Sequence, residues 1–188
     1  MLDQLTTFAV IGQYPDMFTA AVMRNPVISS GETAGTDIPD WYFAEFGLSY
    51  YPPLASLPAL TKLSSKSLLQ DKVPPKGEIP DSLWLSGSTY SALQSASPIA
   101  HVKKVKANVL LFMGEIDNRV SPTQGRGYYH ALRACGAVGL GQVTDESKPH
   151  QLVEMLTFPG EGHPLEGTEA YRVGWECAFD WINRTTTE

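Results

Sequence analysis

An aspartate and a histidine, each in a loop that follows an apolar segment, are the residues whose types and surroundings best fit a chemical role. Asp117 lies in GEIDNRVSP and His163 lies in FPGEGHPLEG, 46 residues further on. In a Ser-His-Asp triad the histidine takes the proton of the serine hydroxyl, and the aspartate holds the imidazole in one tautomer and stabilises its charged form. The two motifs therefore predict two of the three groups of a nucleophilic hydrolase.

The third group of such a site is missing from the sequence. No G-x-S-x-G nucleophile elbow occurs in the 188 residues. Ser29, Ser30 and Ser88 lack that turn, and we interpret them as helix N-caps or loop hydroxyls. An Asp-His pair without its nucleophile retains little catalytic power, because removing one triad member costs several orders of magnitude in rate.

Each candidate also has a structural interpretation. Asp117 would otherwise be a solvated turn residue and His163 a surface loop histidine, but their motifs favour the catalytic interpretation. For Arg119 the alternatives are support of the active-site loop, contact with substrate and a structural ion pair. The remaining histidines carry no motif and receive no role: His101, His130 and His150.

Alternating helical and strand patterns predict the elements that position the pair. Three short apolar runs are typical of buried parallel strands: Ala20–Met23, Ala107–Met113 and Leu152–Phe158. Helical spacing, caps and breakers predict five helices, at Leu5–Tyr14, Asp40–Phe46, Ser88–Ala96, Pro122–Cys135 and Gly167–Asn183. This alternation indicates a parallel α/β sheet.

Two segments interrupt the alternation. Residues 50–82 are rich in Pro, Ser, Lys and Gly without periodicity, which predicts a loop-rich surface insertion. Residues 136–150 form a second predicted loop. With 188 residues and 43% apolar content, the whole chain, residues 1–188, fits one globular domain.

Composition excludes several classes of partner. The net charge is 14 − 20 = −6, and the basic run His101–Lys106 alternates with Val, which favours the approach to a strand with one solvated face over a phosphate-binding patch. We therefore expect no nucleic-acid partner.

No apolar run approaches the roughly 18 residues of a membrane span, and Met1–Pro15 lacks the features of a signal peptide. We expect no membrane contact and a cytoplasmic location.

The two cysteines do not indicate a metal site or a disulfide framework. No CxxC or Cys/His pair has ligand spacing, and we predict that Cys135 and Cys177 are buried free thiols in helical segments. No cofactor or metal is expected.

Four segments of the chain are distinctive: GQYPDMFTAAVMRNPV (12–27), TDIPDWYFAEFG (36–47), SPIAHVKKVKANVLLFMGEIDNRVSPTQGRGYYHAL (97–132) and FPGEGHPLEG (158–167). Together they resemble the acylaminoacyl-peptidase (acylpeptide hydrolase) branch of the prolyl oligopeptidase family of serine peptidases. The segment TDIPDW after RNPV selects this branch. The resemblance covers most of the chain outside residues 50–82 and 136–150.

The resemblance implies a partial α/β-hydrolase fold, consisting of the last three parallel strands with flanking helices. The chain would be the C-terminal portion of a catalytic domain that a β-propeller precedes in complete enzymes. Asp117 matches the triad acid and His163 the triad base. The nucleophile does not carry over, because Met1–Thr7 stand where the family has its serine-bearing turn. Asn25 and the segment Thr36–Trp41 either border the substrate pocket or pack locally.

Two functions of different classes follow. The first is a serine peptidase that releases N-acylated amino acids from blocked peptides, with N-acylated peptides as substrates of the intact family; this chain alone is predicted to be inactive. The second is a non-catalytic binding or dimerisation module with a possible homo-oligomeric state. A sheet of three strands would leave the outer side of Ala20–Met23 unpaired, which favours association with a partner.

Overall fold

The computed structural model describes residues 9–33, 87–142 and 150–186. Several sequence-based predictions lie outside these residues: the replacement of the serine turn at 1–7, the segment 36–41, the helix at 40–46 and the insertion at 50–82.

Three parallel strands form the centre of the described part of the chain. They are β1 (Ala20–Arg24), β2 (Asn108–Gly114) and β3 (Val153–Phe158), in the order β1-β2-β3. The register pairs Ala20 with Asn108 and Val109 with Val153. All three predicted strands are confirmed, and each predicted end lies within one residue of the observed one. The predicted arrangement of three parallel strands with flanking helices is confirmed as well.

Helices connect and cover the strands. They are α1 (Gly87–Ala96), α2 (Pro122–Ala134) and α3 (Thr168–Thr186), and residues 9–13 are also helical. Short 3₁₀ helices occupy Ser30–Thr33, Pro98–Lys104 and Leu140–Gln142. No helix among the described residues is both long enough and apolar enough to cross a membrane.

The run His101–Lys106 leads into β2, as its interpretation as the approach to a strand predicts, but most of it is helical. Most of this run belongs to the 3₁₀ helix Pro98–Lys104, because Pro98 fixes a helical φ at its first turn and Ser97 precedes it in an extended conformation. The side chains of Lys103 and Lys104 are nevertheless exposed, as expected for a solvated face.

Two hydrophobic cores lie on the two faces of the sheet, because successive residues of β2 point to opposite sides. Val109 and Leu111 pack in one core with Tyr128 and Leu132 of α2. The other core contains Leu110, Phe112 and Phe158 from the strands and Trp181 from α3. The rings of Phe112 and Phe158 meet edge to face with centroids 5.7 Å apart. β2 is therefore the central strand, and it fixes the positions of both loops that carry the candidate residues.

The prediction that both cysteines are buried is wrong. Cys135 is exposed and Cys177 is half-buried, and both are free thiols. Cys135 is the C-cap of α2, one residue beyond its last helical residue. Cys177 lies at the margin of the α3 core, not in its centre.

The buried phenol of Tyr128 predicts a loss of stability at alkaline pH. Burial raises the pKa of Tyr128, and the nearby thiol of Cys135 adds a smaller effect in the same direction. In the unfolded chain the phenol ionises near pH 10, so this residue's contribution is complete below about pH 10 and falls by about 1.4 kcal/mol per pH unit above it. Urea unfolding of wild type and Tyr128→Phe at pH 9, 10 and 11 should show a shallower alkaline decline for the variant. The exposed Tyr14 gives the control, Tyr14→Phe; equal slopes for the two variants would contradict the prediction.

Candidate active site

Asp117 lies in the turn between β2 and α2, with its side chain fully buried. Its Oδ1 accepts hydrogen bonds from the backbone N–H groups of Arg119 and Val120, at 2.8 and 2.9 Å. Ser121 then caps α2 and Pro122 occupies the first turn. The sequence D-N-R-V-S-P thus folds into a turn that fixes the carboxylate plane and leaves Oδ2 for another partner.

The partner of Oδ2 is His163. The distance from His163 Nδ1 to Asp117 Oδ2 is 2.8 Å, and 14% of the histidine side chain is exposed. Because an ionised carboxylate can only accept, this contact places a proton on Nδ1, and in the neutral imidazole Nε2 then carries the lone pair. The structure therefore brings the two predicted residues together in the tautomer that a general base requires.

The loop that carries His163 packs against the end of β2. The N–H of Glu115 donates to the carbonyl of Phe158 at 3.1 Å, and that of Ile116 donates to the carbonyl of Glu161 at 3.0 Å. Two residues of the loop have positive φ, Gly160 at 72° and Leu165 at 50°. Positive φ is unusual for leucine and marks a loop that its surroundings hold in place.

Asn25 occupies the point where β1, β2 and this loop meet. It is fully buried with φ of 43°, a conformation that asparagine tolerates better than most residues. Its Oδ1 accepts from the N–H of Gly114 at 2.7 Å, and its Nδ2 donates to the carbonyls of Gly162 and His163 at 3.1 and 2.8 Å. Of the two interpretations of Asn25, pocket border and local packing, these bonds fit the second.

Two further residues that make long-range side-chain hydrogen bonds carry no sequence motif. Arg24 Nη2 donates to the carbonyls of Leu165 and Pro164, at 2.7 and 3.4 Å. Gln124 is buried in α2, and its side chain binds the backbone of Ile28 and Ser29. Sequence reasoning missed both because their partners lie 95 to 141 residues away.

A shallow cleft of about 230 Å³ adjoins the pair. Arg119 is part of its lining. Ser29 and Ser30 are buried; Ser29 directly precedes the 3₁₀ helix Ser30–Thr33, and Ser30 is its first residue. Within 9–33, 87–142 and 150–186, no group of three His, Cys, Asp or Glu residues could hold a metal ion. The cleft is lined by Ile116, Asp117, Asn118, Arg119, Gly162, His163 and Pro164.

Gly114 allows the close approach of the histidine loop to β2. A Cβ at this position would lie 2.5 Å from the carbonyl oxygen of Gly162 and 2.6 Å from that of Glu161. Because these are backbone atoms, Gly114→Ala must displace the loop, and we expect a loss of about 1–3 kcal/mol in urea unfolding. Gly127→Ala is the control, since nothing lies within 4 Å of its Cβ and alanine favours the helix. Equal stability of Gly114→Ala and wild type would contradict the prediction.

Comparison with known proteins places this chain in a family. The model of the prolyl oligopeptidase family matches residues 76–188, which include both Asp117 and His163. The chain belongs to the prolyl oligopeptidase family.

Relatives of this prolyl oligopeptidase family member confirm its resemblance to the acylaminoacyl-peptidase branch. It is 31% identical over 175 residues to the acylamino-acid-releasing enzyme of Rattus norvegicus and 33% identical over 183 residues to that of Arabidopsis thaliana. These alignments cover 93% and 96% of the chain. The chain spans 18% of the length of each relative.

Solved structures share the fold. An acylaminoacyl peptidase from Pyrococcus horikoshii superposes with a TM-score of 0.60 at 16% identity, covering 97% of this chain and 22% of the other. A puromycin-hydrolyzing peptidase from Mycobacterium tuberculosis superposes with a TM-score of 0.57 at 19% identity, covering 96% of this chain and 20% of the other.

Proposed function

We propose that Asp117 and His163 are the acid and the general base of a serine-type hydrolase of the acylaminoacyl-peptidase type. The observation that carries this proposal is the 2.8 Å contact between His163 Nδ1 and Asp117 Oδ2, at the ends of neighbouring strands. Membership of the prolyl oligopeptidase family supports it. The proposed reaction releases an N-acylated amino acid from a blocked peptide.

In this reaction His163 Nε2 takes the proton of a serine hydroxyl as the oxygen attacks the scissile carbonyl. Asp117 stabilises the resulting imidazolium, which then gives its proton to the leaving amine. Water repeats the attack on the acyl-enzyme with the same base and regenerates the serine. The serine is the group that these 188 residues do not offer in a nucleophile elbow. We therefore propose that they have no hydrolase activity by themselves.

The absence of activity is tested with the purified chain. It is incubated with N-acetyl-alanine p-nitroanilide and, separately, with a fluorophosphonate probe that labels activated serines; the rat enzyme serves as positive control. We expect neither turnover nor label. Labelling of a serine of this chain together with turnover would refute the proposed inactivity.

The catalytic roles are tested in a chimera in which this chain replaces the matching stretch of the rat enzyme, named here the rat chimera. The rest of the rat sequence is intended to supply the nucleophile. We expect fluorophosphonate labelling and hydrolysis of the nitroanilide, and a loss of about 10⁴-fold or more in kcat for His163→Ala. A folded chimera in which His163→Ala retains full activity would contradict the role of His163.

Association with another protein surface is a second candidate function, supported by the outer face of α3. Tyr171, Trp175 and Phe179 are 55%, 60% and 70% exposed at four-residue spacing, so they share one side of the helix. Sedimentation velocity over a range of concentrations tests self-association of the chain. We expect a dimer that Trp175→Glu/Phe179→Glu converts to a monomer; a wild-type monomer at every concentration would exclude a homodimer.

A further inference from the structure

Two adjacent residues at the carboxyl end of β1 bind four consecutive carbonyls of the histidine loop. Asn25 Nδ2 binds the carbonyls of Gly162 and His163, and Arg24 Nη2 binds the next two, of Pro164 and Leu165. These bonds span 137 to 141 residues of sequence. The backbone on both sides of the imidazole is thus held from a strand that carries neither Asp117 nor His163.

We propose that Asn25 and Arg24 are positioning residues for His163, which set the imidazole against Asp117. The inference rests on the proposed function of the pair. The two residues act on the backbone of the loop, so neither needs to contact the reacting atoms.

The bonds of Asn25 link the acid and the base through one side chain. Its Oδ1 accepts from Gly114, three residues before Asp117, while its Nδ2 binds the carbonyl of His163 itself. Its own N–H donates to the carbonyl of Phe112 at 2.7 Å, which fixes Asn25 on β2. Only a carboxamide offers this acceptor and these two donors at one site, since an aspartate would turn a second oxygen toward the two carbonyls. Asn25 therefore holds the backbone of His163 at a fixed position relative to β2, the strand that leads to Asp117.

The contact with Arg24 falls where the loop is strained. Leu165 has φ of 50°, and its side chain is 1% exposed in the core under α3. A hydrogen bond from a guanidinium is charge-assisted, and the one to the carbonyl of Leu165 is 2.7 Å long. Arg24 thus stabilises an unusual backbone conformation two residues after His163. Small displacements matter here, because a shift of about 1 Å in a reacting group can cost about 100-fold in rate.

The test observes the His163–Asp117 hydrogen bond directly, in the full chain labelled with ¹⁵N-histidine. A proton shared with a carboxylate gives a downfield Nδ1–H resonance. The resonance is assigned to His163 by its disappearance in His163→Gln. We expect Asn25→Ala to raise its rate of exchange with solvent by about tenfold or more, the factor for one lost hydrogen bond. Arg24→Ala should raise it less, and Arg24→Lys less still, because an ammonium replaces one of the two contacts.

A structural asparagine elsewhere on the sheet provides the matched control. Asn108 Oδ1 accepts from the N–H of Leu152 at 2.8 Å, at the amino end of β2 and far along the strand from the histidine loop. Asn108→Ala should lower the urea midpoint but leave the exchange of the Nδ1–H proton unchanged. If Asn108→Ala accelerates exchange as much as Asn25→Ala, the effect is general destabilisation and the proposal is wrong.

A fallback variant and two further results also bear on the proposal. If Asn25→Ala does not fold, Asn25→Gly keeps the positive φ without the carboxamide and replaces it in the experiment. A folded Asn25 variant with wild-type exchange would overturn the proposal, as would a wild-type chain without the Nδ1–H resonance. Because no serine is needed for this measurement, its failure is distinct from failure of the hydrolase assays, which test the proposed function.

Discussion

Asp117→Asn in the rat chimera is expected to lower kcat by about 10⁴-fold, although the two side chains have nearly the same shape. The backbone N–H groups of Arg119 and Val120 both donate to Oδ1. An asparagine must place its carbonyl oxygen there and its NH₂ group at the site of Oδ2. That NH₂ group faces His163 Nδ1, so the imidazole must move its proton to Nε2. Nε2, the nitrogen that would face a serine, then has no lone pair with which to accept the proton of its hydroxyl.

The tautomer provides a second, independent measurement of this effect. In the isolated chain, ¹⁵N shifts of His163 should show the proton on Nδ1 in wild type and on Nε2 in Asp117→Asn. The control is Asp16→Asn, whose carboxylate is exposed and paired with Lys106 at the surface. The prediction would be contradicted if Asp117→Asn kept the proton on Nδ1 and its chimera had a kcat within about tenfold of that of the unsubstituted rat chimera.

The strands and the candidate pair were predictable because their signals are local. An uninterrupted apolar run such as residues 107–113 predicts a strand that is buried on both faces of a sheet. The corresponding strand, β2, does contribute residues to both hydrophobic cores. Asp117 and His163 stand in loops whose residue types are unusual enough to suggest the pair before any contact is known. The 3₁₀ conformation of the basic run after Pro98 was not predicted, because a short alternation with Val fits a turn of 3₁₀ helix as well as an extended approach to a strand.

The residues that hold the site together were not predictable in the same way. Arg24 and Asn25 follow β1 directly, and nothing near them in sequence distinguishes their side chains from loop residues. Their partners are backbone carbonyls, which every residue has, so the partner sequence carries no complementary signal. The burial of Cys135 and Cys177 was mispredicted for a related reason, since helical periodicity gives a face but not the position where the covering core ends.

Gln124→Leu is expected to destabilise the chain by about 3 kcal/mol or more, although the new side chain is apolar and of similar size. Gln124 Oε1 accepts from the N–H groups of Ile28 and Ser29, both at 2.9 Å, and its Nε2 donates to the carbonyl of Ser29 at 3.0 Å. All three bonds are buried. Leucine leaves three backbone groups without these partners, and each costs about 1–3 kcal/mol. Such a loss is a large part of the roughly 5–15 kcal/mol that stabilises an ordinary domain.

Urea unfolding monitored by circular dichroism measures this loss, and two variants show its origin. Gln13→Leu replaces an exposed glutamine and should change the free energy of unfolding by no more than about 0.5 kcal/mol. Gln124→Glu keeps an acceptor for the two N–H groups but, when ionised, turns a second oxygen toward the carbonyl of Ser29. Protonation restores a donor there, so Gln124→Glu should approach wild-type stability as the pH falls from 7 toward 4. If the free energy of unfolding of Gln124→Leu equals that of wild type, the three hydrogen bonds do not stabilise the contact of α2 with the segment after β1, and the prediction is wrong.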